Sequence, residues 1–170
     1  QAFTGAHVTA NNLQANGGSV SIQATAGINA VVQSAGVVGA NINNSAAGGL
    51  NLTSYGASAL VLVDNSVSAS AVNLTYKNAP LTLGANSALV TGNGAGKVNV
   101  TASGGNLVYS GANVSANGVS FTSTGTISQT APVTTSVLYT SSAGGTTLTA
   151  DNVVGTYSGA NTGSGNLVFK

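Results

Sequence analysis

Apolar and small polar residues alternate along this chain in short runs. Val20 and Ile22 flank Ser21, Leu50 and Leu52 flank Asn51, and Val72 and Leu74 flank Asn73. The phrase returns where Val98 and Val100 flank Asn99 and where Val119 and Phe121 flank Ser120. A period of two puts the aliphatic side chains on one face of a strand and the polar residue on the other. No apolar set keeps a spacing of three and four over three turns, and Val, Thr, Ser, Gly and Asn outweigh the helix formers other than Ala. The pattern therefore predicts strands and no helix. Glycine stands just before several runs, at Gly17 and Gly18, Gly48 and Gly49, Gly96 and Gly118, where a corner needs permissive backbone.

Taking Val20, Leu50, Val72, Val98, Val119, Leu148 and Leu167 as equivalent gives steps of 30, 22, 26, 21, 29 and 19 residues, with a mean of about 25. An irregular repeat in that range predicts a solenoid. Secondary runs at Val37 and Val38, Leu60 to Val63, Leu81 with Leu83, Leu107 with Val108, and Val137 with Leu138 give two or three strands per coil. The expected fold is all-β, a parallel β-helix of about six to seven coils stacked at about 4.8 Å into a rod roughly 30 Å long. Pro80 and Pro132 fall beside turn-like residues and suit corners or edges. A β-sandwich of seven or more strands, as in a fibre subunit, satisfies the same alternation and stays open as the alternative. Composition does not shift, so residues 1–170 read as one β-solenoid segment, part of or a subunit of a longer fibre. The start at Gln1 without Met suggests a processed or excised chain.

Charge changes the picture most. Only 3% of residues are charged, and all can be named: Lys77, Lys97, Lys170, Asp64 and Asp151. An ordinary soluble domain carries about a quarter. Water must be held by Ser, Thr, Asn and Gln, and a net charge of +1 gives no field for phosphate, which excludes nucleic acid as a partner. Cys, Met and Trp are absent, so no disulfide or thiolate site exists. Runs of Val, Leu and Ala are soon broken by Gly, Asn or Ser, short of the roughly 18 apolar residues of a membrane helix. An aromatic content of 5% is too low for the girdles of a membrane barrel.

The phrases GGSVSIQATAG, GGLNLTSYG, VNLTYKNAPLTLGANSALVTGNG and KVNVTASGGNLVYSGANVSANG resemble the repeat regions of filamentous-haemagglutinin-like bacterial exoproteins, over nearly the whole chain. The resemblance implies a right-handed parallel β-helix exported through an outer-membrane pore partner and serving adhesion, biofilm formation or contact-dependent toxin delivery. It covers shaft repeats only, since no secretion-signalling module or toxin domain is recognisable.

Five N-x-S/T sequons occur, at Asn43, Asn51, Asn73, Asn99 and Asn113, and three of them, Asn51, Asn73 and Asn99, hold the same place in the repeat. If their neighbours face inward these amides face outward, either as glycan acceptors or as a hydrogen-bonded ladder along the solenoid. Tyr55, Tyr76, Tyr109, Tyr139 and Tyr157 suit either a sugar-binding platform or half-buried packing between coils. Phe3, Phe121 and Phe169 read as core or end-capping residues. His7 has no Cys or Glu companion, and Asp64 and Asp151 are too sparse for a calcium cage, so no metal and no cofactor is expected. Glu and Arg are absent, which removes the paired carboxylates and basic residues of polysaccharide-cleaving β-helices; the chain reads as a non-enzyme.

The functional expectation is a structural or adhesive segment of a secreted, extracellular cell-surface filament. Its partners would be further copies or segments of the same fibre and host-cell or matrix glycans. The alternative is a self-assembling, pilin-like or thread-like subunit joined by strand exchange, for which residues 1 to 15 or the terminal NLVFK would serve. Ice binding needs regular Thr-x-Thr rows, of which Thr146, Thr147 and Thr149 offer one patch.

Overall fold

A computed structural model describes residues 1–15, 18–42, 49–66, 70–77 and 79–170, with Asn93 described in its backbone alone. The strands in the first half are β1 (Ala2–Ala15), β2 (Val20–Ser34), β3 (Val37–Ile42), β4 (Leu50–Tyr55), β5 (Ala59–Asp64), β6 (Ala71–Lys77), β7 (Leu81–Gly84) and β8 (Ala88–Val90). After a 3-10 turn at Gly92–Gly94 come β9 (Lys97–Ala102), β10 (Leu107–Ser110), β11 (Asn113–Ser115), β12 (Gly118–Ser123) and β13 (Ile127–Gln129). The last four are β14 (Thr134–Ser142), β15 (Thr146–Leu148), β16 (Val153–Asn161) and β17 (Leu167–Phe169). Every pairing between these strands is parallel; among the described residues the one antiparallel contact is an isolated bridge between Gly84 and Gly111. Parallel stacking of successive coils is the β-solenoid and excludes the antiparallel sandwich.

Three faces can be traced. On face B, β4, β6, β9, β12, β14 and β16 stack in that order; on face A, β3, β5, β8 and β11 do; on face C, β7, β10, β13, β15 and β17 do. The long strand β2 turns a corner within itself, its first half (Val20 to Ala24) pairing with β3 on face A and its second half (Ile28 to Gln33) with β4 on face B. Among the described residues, face C begins at Leu81. Before it, turns at 35–36 and 56–58 lead from face B straight back to face A, so the described part of those coils forms two strands, whereas β6, β7 and β8, and again β9, β10 and β11, occupy all three faces in turn.

Registration on face B fixes the repeat. Val8, Ile28, Leu50, Val72, Val98, Val119, Leu138 and Tyr157 are successive partners, at steps of 20, 22, 22, 26, 21, 19 and 19 residues. The mean step is about 21 rather than 25, and seven steps of about 4.8 Å make a rod roughly 34 Å long. The expected equivalence holds for Leu50, Val72, Val98 and Val119 and fails at both ends. Val20 pairs with Val38 on face A, while Leu148 and Leu167 lie on face C beside Phe169 and Thr146. The cause is physical: inward aliphatics alternate with outward polar residues on all three faces, so the phrase marks a strand but not which face carries it.

The core is three columns of inward side chains. Face B contributes Ile28, Leu50, Val72, Val98, Val119 and Leu138; face A contributes Ile22, Ala40, Leu62 and Leu89; face C contributes Leu81, Leu107 and Ile127, all buried. Each large aliphatic removed from water is worth about 1.5–3 kcal/mol, and within each column like residues stack on like. Where the section widens, the face-B position held by Val32 and then Ser54 becomes Tyr76, whose hydroxyl reaches the Ala57 carbonyl at 3.4 Å. At the corner entering β9, a Cβ on Gly96 would overlap the Ser70 carbonyl oxygen, so glycine lets the backbone pass there.

Candidate binding surface

The outward side of face B carries polar residues in regular rows. Because the inward residues are in register, so are the outward ones: Asn29, Asn51, Asn73 and Asn99 form one row, and Thr53, Thr75, Thr101 and Thr122 the next. The Asn73 Nδ2 donates to Asn51 Oδ1 at 2.8 Å, and the Asn99 Nδ2 donates to Asn73 Oδ1 at 2.8 Å. Three of the sequon asparagines are thus linked in a ladder running along the rod. An amide has two N–H donors and two lone pairs, so each rung keeps capacity for a ligand or water. Gln14 and Gln33 form a similar rung nearer the N-terminal end, at 3.1 Å.

Above Asn99 the row changes. Ser120 takes the next rung and Tyr139 the one after, while the neighbouring row runs Lys97, Gly118, Val137. Small residues between larger ones leave a notch of about 180 Å³, lined by Lys97, Asn99, Asn117, Gly118, Val137 and Tyr139. Tyr139 is 50% exposed and has no ring partner among the described residues. A shallower recess lies at the other end of the same face, with His7, Gly27, Asn29, Gly49 and Asn51 around it.

The remaining sequence-predicted residues separate by environment. Asn113 is exposed on β11 of face A, away from the ladder, and Asn43 lies outside the described residues. Tyr76 and Tyr109 are buried, Tyr55 and Tyr157 half-buried, and Tyr157 stacks on Phe169 with ring centroids 4.0 Å apart. The tyrosines therefore form no common platform. Burial pushes the Tyr76 phenol above its ordinary range, opposed by a backbone hydrogen bond at Gly56, and burial alone pushes Tyr109 up. Phe121 is fully buried, whereas Phe3 is partly buried and Phe169 exposed. Thr146 is buried with its hydroxyl 3.0 Å from that of Ser142, so the Thr146, Thr147 and Thr149 patch is not a continuous surface row.

No group of three metal-ligating side chains comes together among the described residues. Asp151 pairs with Lys170 at 2.8 Å, both exposed, an ion pair of little energetic weight. Asp64 is different: it is fully buried, and its carboxylate accepts from the Ser66 backbone N–H at 2.9 Å and from the Ser66 and Ser70 hydroxyls. Sequence reasoning saw Asp64 as one of two scattered acids and missed that the following serines are its ligands, although the D-N-S-V-S-A-S run was the available signal. It also missed the threonine row, which was present as the third residue of each stacked sequon, and the notch, which depends on coil registration.

Comparison with protein-family models, with curated proteins and with solved structures finds no match to this chain.

Proposed function

We propose that the chain is a shaft segment of a secreted, filamentous cell-surface protein, with a structural and adhesive role. The observation that supports this best is the continuous parallel ladder from β1 to β16, in which each coil is held by hydrogen bonds to the coils before and after it. Such a stack transmits load along its axis and presents uniform rows of side chains at a repeating height. A surface wet by hydroxyls and amides rather than charges suits an exterior of variable salt and acidity. The resemblance of the repeat phrases to filamentous-haemagglutinin-like exoproteins points the same way, and with it to an outer-membrane export partner. Antibody raised against this chain, applied to cells of its native source in electron microscopy, is expected to label thin surface filaments. Label confined to the cell interior would refute the reading.

A second reading, a self-assembling fibre subunit, is favoured by one feature. Strands β16 and β17 are each paired on one side only, and Val153, Leu167, Val168 and Phe169 are exposed at that end. An open parallel edge with apolar side chains beside it is a template for another coil. Sedimentation of the chain is expected to show concentration-dependent growth in this case, and a monomer at every concentration would eliminate it.

A further inference from the structure

We propose that the notch at the end of the asparagine ladder is a binding subsite for one pyranose ring of a glycan. Its floor is Gly118 and Val119, on one side stand Lys97 and Asn99, and on the other Val137 and Tyr139. A pyranose has a C–H face and a rim of hydroxyls, so it needs an aromatic surface beside convergent donors and acceptors. Tyr139 supplies the first, half exposed and unstacked. Asn99 supplies the second: its Nδ2 is committed to Asn73, which orients the amide, while Ser120 on the next rung makes no hydrogen bond to it. The exposed Asn117 amide and the Lys97 ammonium, which has no ion-pair partner among the described residues, complete the rim. The volume of about 180 Å³ is below the roughly 300–1,000 Å³ of pockets that enclose a drug-sized molecule, so the site suits a single ring resting on the wall.

The asparagine and threonine rows also raise ice as a ligand, since they repeat at a fixed rung height. The same face argues against it: exposed Lys97 and Tyr139, larger than the Asn and Thr of the rows, interrupt the regular pattern that a crystal surface requires. The subsite does not depend on the shaft reading, because all its groups belong to this chain and a failed sugar test leaves the rod unchanged.

The test is titration of the isotope-labelled chain with the methyl pyranosides of glucose, galactose, mannose and N-acetylglucosamine, followed by amide chemical shifts. Sorbitol serves as an acyclic polyol with hydroxyls but no ring face. At least one pyranoside is expected to shift Asn99, Gly118 and Tyr139 saturably in the millimolar range, with no saturable shift from sorbitol. Tyr139→Ala, which removes the stacking surface, and Gly118→Gln, whose side chain would stand in the notch where a Cβ meets only ordinary contacts, should each weaken binding about tenfold. Both positions face outward, so the variants should keep the parent circular dichroism. The proposal is overturned if no pyranoside saturates, if sorbitol binds as well, or if both folded variants bind like the parent. Inhibition of ice recrystallisation without saturable sugar shifts would overturn it in favour of ice.

Discussion

Asp64 shows how much one buried side chain can organise. Its oxygens take up three donors from Ser66 and Ser70, so replacement by alanine leaves those donors without their acceptor inside the fold. Asp64→Ala is expected to cost about 1–3 kcal/mol in urea unfolding, and Asp64→Asn, which keeps an acceptor oxygen, distinctly less. The buried tyrosines set a limit in pH. Unfolded tyrosine titrates at about pH 10, whereas Tyr76 and Tyr109 hold their protons to higher pH in the fold. The folded chain therefore keeps protons that the unfolded chain releases, and the stability they contribute is whole below about pH 10 and is lost as pH rises through the folded-state values. Melting temperature against pH should fall in that alkaline window, and the fall should be smaller in Tyr76→Phe with Tyr109→Phe. None of this was legible from residue type: the sequence shows five tyrosines alike, and only coil registration divides buried Tyr76 and Tyr109 from exposed Tyr139.

At the scale of strands, the ladder makes Asn73 the rung with a bond on each side. Asn73→Ala removes both and should lower stability by about 1–2 kcal/mol, whereas Asn113→Ala, exposed and outside the ladder, should leave the urea midpoint unchanged. Period-two registration makes a sharper prediction about coil length. Deleting residues 119–137 removes one 19-residue step and brings Leu138 into the inward place of Val119. Deleting 119–136 moves the side chains of 137–142, the strand joined at the cut, to the opposite face. Far-ultraviolet circular dichroism and a cooperative melt should survive the first deletion and not the second. The alternation that makes this possible was plain in Leu50-Asn51-Leu52 and its repeats, which is why strand type, parallel stacking and the central register could be read directly. Val20 and Leu148 were misplaced because face identity is decided by turn length, and turns carry no comparable periodic signal.

Across the whole molecule, stacking makes stability close to a sum over neighbouring coils, so damage in one coil is felt mainly by the two beside it. The section of that stack is not constant. Among the described residues, the coils of β2 to β5 place strands on two faces, whereas β6–β8 and β9–β11 place them on three. In mechanical terms the lower coils form a blade and the upper ones a prism. A blade is stiff across its width and compliant across its thickness, because bending rigidity rises steeply with the depth of material in the bending plane. A sideways force on the rod is therefore taken up first in the two-faced coils, which act as a leaf spring with one preferred plane of flexure, while the three-faced coils swing as a stiff arm carrying Tyr139 and its notch.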